Sequence, residues 1–283
     1  MIRTAVLLTV YNRREVTLQG LRSLHKAIEM LGEGYIFDVY MTDDGCTDGT
    51  SEAVANEFPD INIIKGNGNL YWSGGMRKAW QAAIDSGVEY DYFLWFNDDA
   101  QIFKDAFLTI FHDEIVCGGN VILTGAFCDM AGKPSYGGKT KSRVVIAPDG
   151  NVQPVELMNG NFVLIPKEIY AEIGIISELF RHGFGDYDYG LRAKRKGLGV
   201  FLTHKYVGST ERHDEEIPAY FSIERSLSER WRIMHDPRNS PKLGLCFNLK
   251  YMGVKKAVVG WVRSYFYMLC PYMFYKKHHL PLN

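Results

Sequence analysis

The sequence predicts an α/β fold with a mostly parallel central sheet covered by helices. Three features predict it: apolar strand-like runs alternating with helix-like segments, acidic turns closing two of those runs, and 46% apolar content over 283 residues, ample for a sizeable core. Thr4 to Val10 is apolar and β-branched, as a strand buried on both faces requires, and Leu21, Leu24, Ile28 and Leu31 then recur on one helical face. The pattern repeats with a strand over Ile36 to Met41, a short helix over Ser51 to Phe58, a strand over Ile61 to Ile64, a helix over Ser73 to Ser86 with Ser73 as its cap, and a strand over Tyr92 to Phe96. Such βαβα order implies right-handed crossovers, with ligands collecting outside the carboxyl ends of the strands.

Beyond residue 100 the punctuation changes. The Gly/Pro-rich segment from Gly132 to Pro154 reads as a long loop or a β-hairpin excursion over the site. Asn161 to Ile165 is an apolar strand stopped by Pro166, followed by a helix from Lys167 to Ile173 that Gly174 ends. Asp186 falls near the N-terminus of a basic helix that Gly197 terminates, where the helix dipole favours an anion.

Composition excludes several classes. A formal charge of −1 argues against a general nucleic-acid binder. Five cysteines, odd in number and without a CxxC pair, indicate neither a disulfide framework nor a zinc site, and a reducing cytoplasm fits them. Met1-Ile2-Arg3 leads straight into a strand, without a signal-peptide pattern, so a cytoplasmic protein is expected.

Chemistry concentrates at the strand ends. Asn97-Asp98-Asp99 follows one apolar run, and Asp43-Asp44-Gly45-Cys46-Thr47-Asp48-Gly49-Thr50 follows another. Paired carboxylates are costly to group unless a cation or sugar hydroxyls take up their charge, so one shared metal and substrate pocket is expected; the bland alternative is a pair of ordinary Asp-Gly turns.

Thr9-Val10-Tyr11-Asn12, the Asp43–Thr50 segment, Asn97-Asp98-Asp99, and Asp186-Tyr187-Asp188 with Leu191-Arg192 occur in the order found in family 2 glycosyltransferases of the GT-A fold, which the chain resembles over roughly residues 4 to 215. The stretch around Asp186 is most similar to rhamnosyl- and galactofuranosyl-transferase members. The resemblance implies a GT-A domain at residues 1–215, divided into a nucleotide-binding half at 1–100 and an acceptor-side half at 101–215. A helical extension follows at 216–283.

It also implies an inverting transfer from a UDP- or dTDP-linked sugar, with Mn²⁺ or Mg²⁺ on the pyrophosphate, to a hydroxyl of a glycan or lipid-linked saccharide in cell-surface polysaccharide synthesis. By position, Asp44 is expected to bind the nucleotide base with Thr9 and Tyr11 lining its pocket, Asp99 to hold the metal, and Asp98 to lie by the ribose or sugar. Asn97 replaces an acid sometimes found at the first place. Asp186 matches the catalytic base in preference to Asp188, whose place is structural or on the acceptor side; Asn161 matches the acceptor side, and His213 a histidine completing metal or diphosphate binding; His204, at an apolar strand end, is the less attractive histidine. Gly185 departs from the family, many of whose members carry a second acid there.

Alternatives stand beside several of these roles. Asp44 has the alternative of an Asx-type turn, and Asp186 that of a helix cap. Trp72, in a glycine-rich segment before a helix, either stacks on a sugar or base or belongs to the core. His213 is a ligand or a solvated surface residue.

From Pro237 to Asn283 there are eight Lys or Arg and no Asp or Glu, among aromatic and aliphatic residues. Such a segment suits peripheral contact with an anionic bilayer, at the inner face of the cell membrane, and its charges argue against a spanning helix. The competing expectation is packing on the catalytic domain or on a second subunit, as in a homodimer.

Two further classes compete with this one. A non-catalytic GT-A-like module binding a nucleotide sugar or glycan would be expected to have lost at least one of the candidate acids. A nucleotidyltransferase would need a glycine-rich loop after the first strand, and Tyr11-Asn12-Arg13-Arg14 has no glycine.

Overall fold

The computed structural model describes residues 1–211, 217–236 and 239–278. Its first half alternates as β1 (Ile2–Val10), α1 (Arg14–Glu29), β2 (Tyr35–Asp43), α2 (Thr50–Glu57), β3 (Asn62–Lys65), α3 (Tyr71–Asp85) and β4 (Tyr92–Phe96). Next come β5 (Gln101–Ile102), α4 (Ala106–Val116), β6 (Ile122–Cys128), β7 (Gly138–Lys139), β8 (Gln153–Pro154), β9 (Leu157–Met158), β10 (Phe162–Pro166), α5 (Lys167–Ile173), α6 (Gly185–Arg195) and β11 (Val200–Ser209).

Period-two burial divides the strands between two cores. Val6, Leu8 and Val10 of β1 and Leu94 and Phe96 of β4 share one cluster with Leu21 and Leu24 of α1 and Phe107 and Ile110 of α4. Ala5, Leu7, Phe93 and Trp95 face the other way and join Ala79 and Trp80 of α3 and Tyr189 of α6. Helices on both faces leave few strand positions open to solvent, hence the largely apolar runs. Each large side chain buried this way contributes roughly 1.5–3 kcal/mol.

The main sheet runs β3-β2-β1-β4-β10-β6-β11-β5, with β8 also paired to β11. β1 through β4 are parallel, β10 enters antiparallel between β4 and β6, and β6 and β11 pair in parallel. The register aligns Val10 with Asp43 and Asp43 with Lys65, so the acidic turn after β2 opens at the same edge as the turn after β1.

The elements differ from expectation at a few ends. Ser73 does not cap α3: the helix begins at Tyr71 with Leu70 before it, and Ser73 is buried inside the first turn with its hydroxyl unpartnered. Leu31 lies just past α1, and Pro166 is the last residue of β10 rather than its stop. The Gly132–Pro154 segment is mostly irregular, with β7 paired antiparallel to β9.

By internal packing the chain divides into two units, Met1–Arg181 with Gly185–Arg212, and His182–Phe184 with His213–Asn283. The second unit contains a 3₁₀ turn (Ala219–Phe221), α7 (Leu227–Met234), α8 (Pro241–Tyr251), α9 (Val254–Leu269) and α10 (Pro271–His278). Its small core gathers Phe221, Met234, Tyr267 and Met268. α7 starts with a capping box, Ser226 accepting the Glu229 N–H while Glu229 accepts the Ser226 N–H. Among the described residues no helix is long and apolar enough to cross a membrane.

Candidate active site

Three turns lie at the carboxyl ends of β2, β3 and β4, and each is shaped by an acid. Asp43 accepts the backbone N–H groups of Gly45 at 3.1 Å and Cys46 at 2.7 Å, the Ser51 hydroxyl, and Lys65 Nζ at 2.6 Å. Burial pushes its carboxyl up, but Lys65, Ser51 and the Cys46 N–H outweigh that and hold it well below the usual carboxylate range. Asp43 therefore fixes the loop from β2 to α2.

Asp44 points at the glycine-rich segment instead. Its Oδ1 accepts the Gly68 N–H at 2.9 Å, and its Oδ2 accepts those of Leu70 at 2.8 Å and Tyr71 at 3.0 Å. The carboxylate thus organises the turn that starts α3, where Tyr71 adopts φ +55°. Thr9 stands against α3 at Gly75, and Tyr11 is exposed beyond the end of β1.

The turn after β4 carries the acidic pair. Arg13 spans it, with Nη2 2.5 Å from Asp98 Oδ1 and Nη1 3.0 Å from Asp99 Oδ2. Asp98 is buried and also accepts the Thr17 hydroxyl at 2.7 Å. Burial pushes its carboxyl up to about 6, against the opposing pull of Arg13 and Thr17. Asp99 is the more exposed of the two, with 22% of its side chain accessible. α1 approaches this turn closely: a Cβ on Gly20 would lie 2.3 Å from the Asp98 carbonyl oxygen.

Asn97 joins the acidic turn to two other segments. Its side-chain oxygen accepts the Trp72 indole N–H at 2.7 Å, its amide donates to Asn161 Oδ1 at 2.7 Å, and its backbone N–H donates to the Asn161 carbonyl at 2.9 Å. Trp72 packs edge-on against Trp95, ring centroids 5.6 Å apart, and a Cβ on Gly160 would lie 2.4 Å from the indole ring. This half-buried tryptophan thus packs against the core while bonding to the acidic turn.

Gly160 leads to Asp186. Its backbone N–H and that of Tyr187, the latter at 2.8 Å, are directed at the Asp186 carboxylate. Burial is the largest influence and pushes this carboxyl up to about 6, opposed by those N–H groups and by the charge of Lys139. Lys139, buried on β7, sits with Nζ 5.8 Å from the Tyr187 ring centroid. Gly185 packs so tightly on α3 that a Cβ there would lie 2.2 Å from Ser73 Oγ, leaving no room for the acid that many family members carry.

Trp72, Asn161 and Asp186 are thus connected through Asn97 and Gly160, and Asp98 and Asp99 follow Asn97 directly in the chain. Asp188 turns away: it is fully buried and paired with Arg192 at 3.1 Å, and Arg192 also donates to the carbonyls of Ile173 and Ile175. His213 lies outside the described residues. Sequence reasoning missed Arg13 as partner of the acidic pair, Gly20 as its support, and Lys139 beside Asp186. Arg13 follows the first strand and was legible as a charge near the site; nothing in the Gly/Pro-rich segment marks Lys139.

Residues 5–130 match the family described as glycosyl transferase family 2. No curated protein matches the chain. Among solved structures, TarS 1–349 of S. aureus in complex with UDP-GlcNAc is similar at a TM-score of 0.55 and 14% identity, over 83% of this chain and 64% of that one. The chain therefore spans a little under two thirds of that relative. A mannosyltransferase from Pyrobaculum calidifontis in complex with GDP-Man and Mn²⁺ is similar at a TM-score of 0.53 and 13% identity, over 92% and 73% of the two chains. GalNAc-T7 with UDP, GalNAc and Mn²⁺ is similar at 0.54 and 11%, over 83% and 48%. At these identities the likeness shows a shared fold.

Proposed function

With residues 5–130 matching glycosyl transferase family 2, we propose that the protein is a metal-dependent inverting glycosyltransferase. Its donor is a UDP- or dTDP-linked sugar, and its acceptor a hydroxyl of a growing glycan or lipid-linked saccharide in cell-surface polysaccharide synthesis. The observation that carries this reading is the linkage of Asp186, a carboxyl pushed up to about 6, through Gly160, Trp72 and Asn97 to the Asp98–Asp99 turn. Nucleotides or nucleotide sugars in the complexes of TarS, the mannosyltransferase and GalNAc-T7 support the donor class.

In the proposed step, the acceptor oxygen attacks the anomeric carbon from the face opposite the diphosphate. A new C–O bond forms as the anomeric bond to the diphosphate breaks, and the hydroxyl proton passes to Asp186. A base titrating near 6 is charged at neutral pH yet basic enough to draw that proton, a role worth roughly 10²- to 10⁴-fold in rate. The Gly160 and Tyr187 N–H groups aim the carboxylate.

The acidic pair suits a hard divalent cation: carboxylate oxygens are its preferred donors, and the pair already attracts one positive group, Arg13. Asp99, the accessible member, would hold Mn²⁺ or Mg²⁺, which supplies charge against the leaving diphosphate. Asp98 keeps Arg13 and α1 in position. Asp44 shapes the donor pocket by fixing the 68–71 turn, with Thr9 and Tyr11 at its mouth, and Trp72 forms its wall. Asn161 lines the acceptor side, and Asp188 contributes by anchoring α6 through Arg192.

The extension supplies a site of action. α9 buries Ala257, Tyr267 and Met268 and exposes Val254, Val258, Val262, Phe266 and Leu269, with Lys255, Lys256 and Arg263 on the same helix. An apolar arc with basic neighbours fits the surface of an anionic bilayer, so the enzyme works at the inner face of the cell membrane on a lipid-linked acceptor.

A thermal-shift panel of UDP, dTDP, GDP and CMP, each with and without Mn²⁺, tests the reading, because a ligand bound only by the folded state raises Tm. The expected result is a Mn²⁺-dependent shift with UDP or dTDP that Asp99→Ala removes. Absence of a shift with every nucleotide would contradict it.

A further inference from the structure

Asp113, on α4, is fully buried, and among the described residues the hydrogen-bond partners of its carboxylate belong to histidines. Its Oδ2 accepts the backbone N–H of His204 at 2.8 Å, while its Oδ1 lies 2.6 Å from His204 Nδ1 and 3.1 Å from His112 Nδ1. His204 reaches α4 because β11 is irregular at that point, its register against β6 shifting between Leu202 and Tyr206. A bulge re-aims the side chain it carries. Thr203 stabilises the irregularity by accepting the Ala126 N–H at 2.9 Å and donating to the Lys205 carbonyl at 2.9 Å.

A buried carboxylate needs a compensating positive charge, which neutral imidazoles do not provide. The three side chains each offer a ligand atom, all within 4.8 Å of one another. Two imidazole nitrogens and one carboxylate oxygen are the donor set of a borderline transition metal rather than of Mg²⁺ or Ca²⁺. His112 is the exposed member, 65% of its side chain accessible against 27% for His204, so an ion has an entry path and solvent can complete its coordination.

We propose that His112, Asp113 and His204 form a second metal site, of the Zn²⁺ class, that ties α4 to β11 and includes neither aspartate of the Asn97-Asp98-Asp99 turn. The ion supplies the counter-charge of the buried Asp113 carboxylate. The same stretch of β11 receives the Gly150 N–H on the His204 carbonyl at 3.0 Å, so the site also steadies the segment that leads back to Lys139.

The test is calorimetric titration of Zn²⁺ into the full chain after chelator dialysis, with Co²⁺ absorption as the coordination signature. Wild type and Asp99→Ala are expected to bind a single tight equivalent with equal affinity and to gain Tm on binding. His112→Ala alters an exposed side chain and should fold. It is expected to lose at least the roughly 10- to 100-fold in affinity that removing even an outer-shell partner costs. His204→Gln should behave alike. Wild type without a stoichiometric Zn²⁺ site, or His112→Ala titrating as wild type does, would overturn the proposal, and neither result bears on the cation assigned to Asp99.

Discussion

Trp72 donates its indole N–H to the side-chain oxygen of Asn97 at 2.7 Å, which ties the first turn of α3 to the acidic turn after β4. Asn97 donates its side-chain amide and its backbone N–H to Asn161. Removing it strands a partly buried indole N–H and the Asn161 side-chain oxygen together. Asn97→Ala should therefore lower stability by about 1–3 kcal/mol, read by urea unfolding. Donor binding should weaken with it, because Trp72 is no longer held.

Gly20 and Gly160 are both close approaches, but against different opponents. A Cβ on Gly20 meets the Asp98 backbone carbonyl at 2.3 Å, whereas one on Gly160 meets the Trp72 ring at 2.4 Å. A side chain can yield and backbone cannot without moving the turn. Gly160→Ala should thus be partly rescued by Trp72→Leu, with a coupling of about 0.5–3 kcal/mol in a double-mutant cycle, while Gly20→Ala shows no such rescue.

Much of the fold was legible because burial on both faces forces apolar runs onto β1, β2, β4 and β10, and turns with Gly, Asp and Asn separate them. The start of α3 was misread since Ser73, a good capping type, is instead buried beneath Gly185, a contact that depends on α6 arriving from more than a hundred residues away. The acids of the site stood out as pairs at strand ends. Their partners did not: Arg13 meets Asp98 and Asp99 across the β1–α1 turn, and Lys139 comes from an irregular segment without periodicity. Asp188 read as either structural or acceptor-binding; two residues from Asp186 on a helix, it points in a different direction, and Arg192 one turn on claims it.

Arg13→Ala leaves the buried Asp98 carboxylate without its cation. Because Arg13 is itself half exposed, the loss should be about 1–3 kcal/mol rather than the full cost of breaking a buried pair. The Asp98 carboxyl should rise further. A folded-state value above the unfolded one means that the variant loses stability progressively as pH climbs past 6, which chemical denaturation at pH 5 and pH 8 would reveal.

Exposed Val258 and Val262 lie one turn apart on α9. Replacing both with Asp should abolish sedimentation with vesicles containing anionic lipid and leave the Tm unchanged. Wild type that ignores such vesicles, or that forms a dimer broken by the same change, would assign this face to a second copy.

Asp186 carries a stability signature alongside its proposed chemistry. Its carboxyl stands near 6 in the fold against an ordinary 3.8, so the folded chain binds the proton more tightly. The stability this confers is present below pH 3.8 and lost as pH rises through about 6. Asp186→Asn should accordingly be more stable than wild type at pH 8, by about 1–3 kcal/mol, with the difference shrinking toward pH 4.

The most direct test is turnover of the nucleotide sugar selected by the thermal-shift panel, read as nucleotide release with membrane-derived acceptor, in wild type and Asp186→Asn. The prediction is that wild-type activity rises with pH through a midpoint near 6, and that Asp186→Asn binds donor with unchanged affinity while turnover falls by roughly 10²- to 10⁴-fold. An Asp186→Asn enzyme that keeps wild-type turnover would contradict the assignment of Asp186 as the base.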